Sequence, residues 1–422
     1  MNKETLEAII LEQQEDFNEL MASDFCARRE EPLVNLESHL AQVIIGVRRS
    51  GKSTLCINVL RQAKVNCAYI NFDDERLEDI RTEDLNTILE CLYKVYGDFD
   101  HLFIDEIQNV DSWFLFVNRL LRRGMHVLIT GSNAKLLSGE LATHLTGRHI
   151  NTELYPFSFL EFCNYKKYSV KHGTTKEKGL LQKAFDEYLH EGGFPELQKE
   201  PRKEEYIRTL VENILTNDIE KRYKIKYKAA FEQIAQHLLN IAPAKVNYKD
   251  LMTQFGLKSQ HTAENYVQYL KNAYLICGLH KYSTKSKIRV RDVKAYAVDV
   301  ALMNNRANAF AGENLGWRLE TIIYIELLRR CEPDGCDVYY YENSTSEADF
   351  VVCQGKTVKQ IIQVSYNISN PKTYNREIKG LLHASEVMGC DNLLLINMYD
   401  TKQVKVDTKT IKIVPAYAWL VD

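Results

Sequence analysis

Gln42-Val43-Ile44-Ile45-Gly46-Val47-Arg48-Arg49-Ser50-Gly51-Lys52-Ser53-Thr54 decides how the chain is read. An apolar run enters Gly46, and the pattern G-x-x-x-x-G-K-S follows, the phosphate-binding loop of nucleoside triphosphatases. The chemistry requires these residue types at this spacing. Gly46 and Gly51 let backbone N–H groups turn inward around phosphate oxygens. Val47, Arg48, Arg49 and Ser50 form the body of the loop, and Lys52 brings a point charge to the outer phosphates. Ser53 offers a hydroxyl to Mg2+, and Thr54 continues into a helix whose N-terminus favours an anion. A Gly-Lys turn on an ordinary surface loop is the bland alternative. The context argues against it, because residues 43–45 read as a buried strand and residues 53–63 (STLCINVLRQA) as an amphipathic helix.

Composition narrows the rest. The chain has 422 residues, enough for two or three domains with real cores. Its 45% hydrophobic and 26% charged content is globular. A net charge of −3 exerts no global pull on nucleic acid, so any basic surface must be local. Ten cysteines without a C-x-x-C pair point to reduced thiols rather than a disulfide framework or a zinc site. The start of the chain has no apolar signal segment, and no stretch approaches about 18 consecutive apolar residues. A cytoplasmic location without membrane contact is therefore expected.

Upstream of the loop, residues 3–22 have helical spacing and are expected to pack on the nucleotide domain. Arg28 and Arg29 follow, expected as solvated side chains rather than nucleotide contacts. Residues 66–72 (NCAYINF) read as a second buried strand ending in Asp73, Asp74 and Glu75. Acids at a strand's C-terminal end lie on the ligand edge of a parallel sheet, where they position metal or water or form a simple solvated turn. Residues 101–107 (HLFIDEI) bring three apolar residues into Asp105 and Glu106. Asp105 is expected to organise Mg2+, and Glu106 to polarise the attacking water as general base. Residues 126–130 (HVLIT) form another strand, followed by Ser132 and Asn133, placed to sense the γ-phosphate or the water. Arg148 comes just before a further strand. It is expected either as an arginine finger, in cis or from a neighbouring copy in a homo-oligomer, or as an exposed arginine.

GVRRSGKST, LFIDEIQNV, LITGSNAKLLS, LTGR and LYPFSFLEF together resemble one family, the archaeal and bacterial AAA-type ATPases that carry a C-terminal domain of undefined function. The resemblance covers nearly the whole chain. It implies a P-loop sheet with an additional strand, ATP and Mg2+ as ligands, Glu106 as catalytic base, Ser132 or Asn133 as sensor and a Gly-Arg motif at 147–148.

Farther on, Gly192-Gly193-Phe194-Pro195 reads as a stiff corner. KRYKIKYK runs from Lys221 to Lys228 with five basic residues in eight. It reads either as a solvated face or, with its interleaved tyrosines, as a surface for phosphates and exposed bases. Residues 246–276 read as helix–turn–helix, with Thr262, Asn265, Tyr266, Gln268 and Tyr269 along the second helix. From Pro243 to Lys294 there are ten Lys/Arg against three Asp/Glu, a surplus of seven. A basic winged helix that binds DNA is the expectation, and a winged helix used for protein contacts the alternative. Beyond residue 300, the helix carrying Glu320 and Glu326, the strand with Asp349 and the strand QIIQVSY resemble a restriction-endonuclease-like fold. Where that fold needs an acid and a lysine, this chain has Gln363 and Ser365. A nuclease-like domain without nuclease activity is expected, unless Lys356 or Lys359 moves into place.

The expected architecture is thus α/β: a parallel-sheet P-loop ATPase domain over residues 1–160, a helical and winged-helix region over 161–300, and a restriction-endonuclease-like domain over 301–422. The expected function is ATP hydrolysis with Mg2+, coupled to DNA binding. A nucleotide-gated switch for a protein partner and an active metal-dependent nuclease are the alternatives.

Overall fold

The computed structural model describes residues 2–132, 145, 147–283, 293–304, 314–344 and 346–422. Asn133 and most of the basic segment 283–292 lie outside the described residues. The chain divides into two compact units, Met1–Leu154 with Asn272–Tyr274, and Tyr155–Lys271 with Leu275–Asp422. All ten cysteines are free thiols.

The first unit begins with helix α1 (Lys3–Ala22), whose buried Leu6, Ile9, Ile10, Gln13 and Phe17 recur at three- and four-residue intervals. Strand β1 (Ala41–Ile45) leads through the loop into α2 (Lys52–Ala63), then β2 (Cys67–Asn71), α3 (Leu85–Tyr96), β3 (His101–Asp105), α4 (Trp113–Arg122), β4 (His126–Gly131) and β5 (His149–Glu153). The sheet order is β2-β3-β4-β1-β5, with every pair parallel. Strand β4 lies between β3 and β1, which is the additional strand the resemblance implied. Both faces of the sheet are covered. Val43 and Ile45 join the core with α1 and α3, while Ile44 joins the one with Leu55 and Phe103. That double burial explains why Val43, Ile44 and Ile45 run apolar on both faces of β1 instead of alternating. It also places the ends of β1 and β3 side by side, one strand apart.

The second unit contains α5 (Phe159–Lys166), α6 (Thr175–Glu191), α7 (Lys203–Asn213) running into a π-helical turn (Ile214–Glu220), and α8 (Lys228–Ile241). Capping boxes at Ser158/Glu161 and Thr174/Glu177 start α5 and α6. Then come β6 (Ala244–Lys245), α9 (Tyr248–Gln254), α10 (Gln260–Asn272), β7 (Ile276–Lys281), β8 (Val293–Ala297), α11 (Leu315–Cys331), β9 (Asp337–Glu342), β10 (Glu347–Gln354), β11 (Thr357–Val364), α12 (Pro371–Met388), β12 (Leu393–Asn397), β13 (Lys402–Val406), β14 (Lys409–Pro415) and α13 (Ala416–Trp419). Nine strands form one sheet in the order β13-β14-β12-β11-β10-β9-β7-β8-β6. The sheet crosses the boundary expected at residues 300/301, because β7 pairs in parallel with β9 through Lys281 and Tyr340.

The Gly-Gly-Phe-Pro corner has a steric cause. A Cβ on Gly192 (φ +76°) would lie 2.0 Å from Asp299 Oδ1, and one on Gly193 2.2 Å from Phe157 O. The buried Asp299 accepts from Gly193 N at 2.9 Å and from Ala301 N at 2.8 Å, so it clamps the turn to the segment after β8. Burial pushes its carboxyl up to about 6.

Candidate nucleotide site and its neighbours

The loop follows the last residue of β1. Gly46 has φ +153°, and a Cβ there would sit 2.1 Å from Leu154 O, so only glycine lets the chain turn this close to the end of β5. Arg49 (φ +68°) and Gly51 (φ +94°) are both left-handed, and α2 starts at Lys52 directly behind them. The first N–H groups of α2 are free of helical partners and open on the loop, a ready anion site. Val47 is fully buried and anchors the loop. Lys52 is also buried; its Nζ donates to Gly46 O at 3.3 Å and Val47 O at 3.2 Å and lies 3.7 Å from Glu106 Oε1. Ser50 Oγ is buried with no hydrogen-bond partner among the described residues. A buried hydroxyl without a partner is costly unless a ligand satisfies it, so the loop fits phosphate on this chain's own chemistry. Thr54 is half-buried in the first turn of α2.

The two acids lie at the end of β3. Asp105 Oδ1 accepts from Ser53 Oγ at 3.0 Å and from Thr130 Oγ1, and Oδ2 accepts from Tyr69 Oη at 3.4 Å. Burial, then the neighbouring Glu106 charge, push its carboxyl up to about 6. The Ser53 and Asp105 oxygens form the hard donor pair that Mg2+ prefers. Glu106 adopts a left-handed backbone (φ +51°, ψ +43°), a strained conformation for a non-glycine residue and one that recurs at functional sites. Its N–H donates to Thr130 Oγ1 at 3.0 Å. One hydroxyl on β4 therefore fixes both acids. Gln108 Nε2 donates to Glu106 Oε2 and lies 3.4 Å from Ser132 Oγ. Neither Thr130 nor Gln108 was picked out by sequence. The only signal was a polar residue closing an otherwise apolar strand.

One expectation changes, and the structure bears on two that were left open. Arg28 is not solvated: it is buried, and its Nη1 donates to Ser50 O at 2.9 Å, bracing the phosphate loop from behind. The acids after β2 form a structural turn. Asp73 pairs with Arg48 at 2.9 Å, while Asp74 is bonded by Arg76 and Gln13, and the Arg76 bonds above all hold its carboxyl down to about 2. Arg148 is exposed, and its carbonyl accepts from Ala41 N at 3.0 Å. That is the first residue of β1, whereas the loop follows its last. At about 3.3 Å per residue the two are separated by roughly 13 Å of strand, on opposite edges of the sheet. The register thus holds the Arg148 backbone away from the loop.

In the second unit Glu320 and Asp349 lie close enough for their charges to interact. Glu320 Oε1 accepts from Lys294 Nζ at 2.9 Å and Tyr296 Oη at 2.6 Å. Asp349 Oδ2 accepts from Val364 N at 2.8 Å, and burial followed by the Glu320 charge push its carboxyl well above the carboxylate range. Gln363 donates to Glu377 Oε2 at 2.8 Å. Glu326 belongs elsewhere, bonded by Arg330 at 2.7 Å. The expected lysine substitutes are misplaced: Lys356 and Lys359 are exposed near the β10–β11 turn. The ammonium comes instead from Lys294 on β8. Burial alone would lower its pKa, but Glu320 and Asp349 raise it. Of the tyrosines interleaved with the lysines of residues 221–228, Tyr227 is half-buried. Tyr223 is buried and stacks on Tyr269 at 3.8 Å, and Tyr266 is buried with its hydroxyl accepting from Tyr227 N at 3.1 Å. Lys221, Lys224, Lys226 and Lys228 remain exposed, with Lys228 paired to Glu220 at 2.7 Å.

No helix among the described residues is long and apolar enough to cross a membrane. Residues 38–163 match the family model of an AAA domain, and residues 182–313 match that of a domain of unknown function. An uncharacterized protein of Methanocaldococcus jannaschii is 34% identical over 401 residues, covering 92% of this chain and 89% of the relative. One from Haemophilus influenzae is 30% identical over 400 residues, covering 91% and 95%. Among solved structures, the Walker-type ATPase of Pyrococcus abyssi aligns with TM-score 0.39 and 13% identity, over 67% of this chain and 96% of that one. The AAA match spans β1 to β5 and both acids, and the relatedness runs nearly end to end: the chain belongs to the family of the archaeal and bacterial relatives, built on an AAA-type P-loop ATPase domain.

Proposed function

We propose that the chain is an ATP hydrolase whose nucleotide cycle controls a nucleic-acid-binding region attached to a nuclease-like domain that does not cut. The observation that carries the hydrolase reading is the Thr130 bridge, which holds a metal-organising acid and a base in register beside Lys52 and Ser53. Mg2+ bound there supplies positive charge against the phosphate oxygens. Ser53 and Asp105 hold it, the loop N–H groups and Ser50 hydroxyl grip the phosphates, and Lys52 neutralises the outermost one. Glu106 accepts the proton of the attacking water. Lys52 Nζ lies 3.7 Å from Glu106 Oε1, so a phosphate that engages Lys52 draws it from the base. Asn133 is the proposed sensor. Arg148 serves as a finger for a second copy of the chain, consistent with its position on the far sheet edge.

DNA binding is supported by the order α8–β6–α9–α10–β7–β8, the order of a winged helix, and by the basic surplus between Pro243 and Lys294. The absence of cutting is supported by Lys294, whose ammonium already balances Glu320 where a divalent cation would act. One observation favours a second reading, a nucleotide-gated switch for a protein partner: the Glu106 carboxylate is already engaged by Gln108. The test is ATP turnover with Mg2+, with and without DNA, beside particle mass. DNA-stimulated turnover, with affinity falling steeply as salt rises, supports the proposal. Flat turnover with a stably co-purifying protein supports the switch. DNA cleavage with Mg2+ or Mn2+ that disappears in Asp349→Ala would refute the silent nuclease-like domain.

A further inference from the structure

Building on the nucleic-acid reading, we infer that α10 reads a single strand rather than a duplex, in a cleft closed on its far side by β9. The cleft has a volume of about 990 Å³ and lies entirely within the second unit. One wall is the outer face of α10, with Asn265 and Gln268. The floor and near wall bring in Lys245, Lys249 and Lys281, and the opposite wall is Tyr340 and Glu342 of β9.

The opposite wall is there because β7 pairs with β9 through Lys281 and Tyr340, so the sheet continues past the point where a free-standing winged helix would end. This decides the ligand class. A recognition helix reads duplex DNA by entering a major groove about 12 Å wide and 8.5 Å deep, with both DNA backbones passing along its sides. Here one of those flanks is occupied by protein. A single strand needs only one backbone track and exposed base edges, and it fits a cleft of this size.

The charges and amides suit such a strand. Both acids of the cleft are already satisfied. Glu264 accepts from Gln260 at 3.2 Å and lies 3.6 Å from His261 Nδ1, and Glu342 is bonded by Lys245. Among the described residues the Lys249 ammonium is exposed and makes no ion pair or hydrogen bond through its side chain, and the Asn265 side-chain amide makes no hydrogen bond. A free ammonium and a free amide lining one cleft are what phosphate and a base edge require. The buried tyrosines Tyr223 and Tyr266 are not needed, since the amides do the reading.

The full-length protein is tested by fluorescence anisotropy with labelled oligonucleotides of about 15 nucleotides, as single-stranded DNA, single-stranded RNA and the matching duplex. Single strands should bind at least about tenfold more tightly than duplex, and Lys249→Ala should reduce the salt slope by about 0.7. Asn265→Ala with Gln268→Ala should weaken single-strand binding about tenfold, with an unchanged melting temperature checking that the fold is kept. Whether RNA or DNA binds more tightly decides which single strand is the ligand. Equal or tighter duplex binding would overturn the inference and leave the nucleic-acid reading standing. Single-strand binding unchanged in all three substitutions places the strand elsewhere and also overturns it. No binding of any nucleic acid overturns both this inference and the reading beneath it, and binding of an acidic peptide alone would assign the cleft to a protein partner.

Discussion

Arg28→Met removes a guanidinium buried behind the phosphate loop while keeping a chain of similar length. One contact it removes is the charged donor on Ser50 O at 2.9 Å. Hydrogen bonds from charged groups contribute about 1.5–3 kcal/mol, and a buried carbonyl left without its donor retains its desolvation cost. Taking about 2 kcal/mol, the melting temperature of the first unit should fall by roughly 4–8 °C, since a domain of this size shifts about 2–4 °C per kcal/mol. The same loosening has a functional side. Ser50 lies inside the loop, so a loop that must be re-ordered by its ligand binds ATP more weakly. If all of the 2 kcal/mol is recovered on binding, affinity drops up to about 30-fold. Differential scanning calorimetry and equilibrium binding of a fluorescent ATP analogue read the two effects separately. Arg28→Lys should recover only part of either, because a lysine lacks the planar fork. A melting temperature within about 1 °C of wild type, together with unchanged nucleotide affinity, would show that Arg28 is a bystander.

Three further outcomes are expected. Asp299 has a folded-state pKa raised from 3.8 to about 6 by burial, so the folded form holds the proton more tightly. Its contribution is complete below the unfolded value and is lost as pH rises through about 6, amounting to about 3 kcal/mol, and Asp299→Asn should flatten that slope in urea titrations at pH 4 to 7 even though it lowers overall stability. An unchanged slope would mean that Asp299 does not titrate there. Lys294→Met should destabilise the second unit by about 3 kcal/mol, because it strands the Glu320 carboxylate without its cation. Mn2+ should then raise its melting temperature more than that of wild type, and no such difference would contradict the view that the ammonium replaces a metal. Mixing Glu106→Gln with Arg148→Ala should restore ATP turnover lost by each alone, since the mixture pairs an intact base with an intact finger; additive inactivity would exclude action between copies.

The parts legible in sequence are those whose chemistry is written by local spacing. Gly46, Gly51, Lys52 and Ser53 announce themselves within eight positions, and Asp105 and Glu106 follow an apolar strand of fixed length. Roles set by distant register were not legible. Thr130 becomes a bridge only because β4 inserts beside β3, and Arg28 becomes a brace only because the chain before β1 doubles behind the loop. Arg148 could be placed only once the pairing of Ala41 with His149 set its backbone at the far end of β1 from the loop. Lys294 was counted as part of a basic wing, yet the β8–β7–β9 ladder carries it to Glu320. The buried face of α10 was not legible for a simpler reason. Helical spacing defines a face but does not say which face is buried, and Tyr266 lies on the inner one.

The central claim is that Glu106 is the base of an ATP-hydrolysing site whose binding parts are separate from it. Glu106→Gln keeps the size of the side chain and the N–H bond to Thr130, but it cannot accept the proton. Single-turnover hydrolysis of Mg2+-ATP should fall by a factor of about 10² or more while nucleotide affinity is retained. Hydrolysis at the wild-type rate with binding intact would contradict the account.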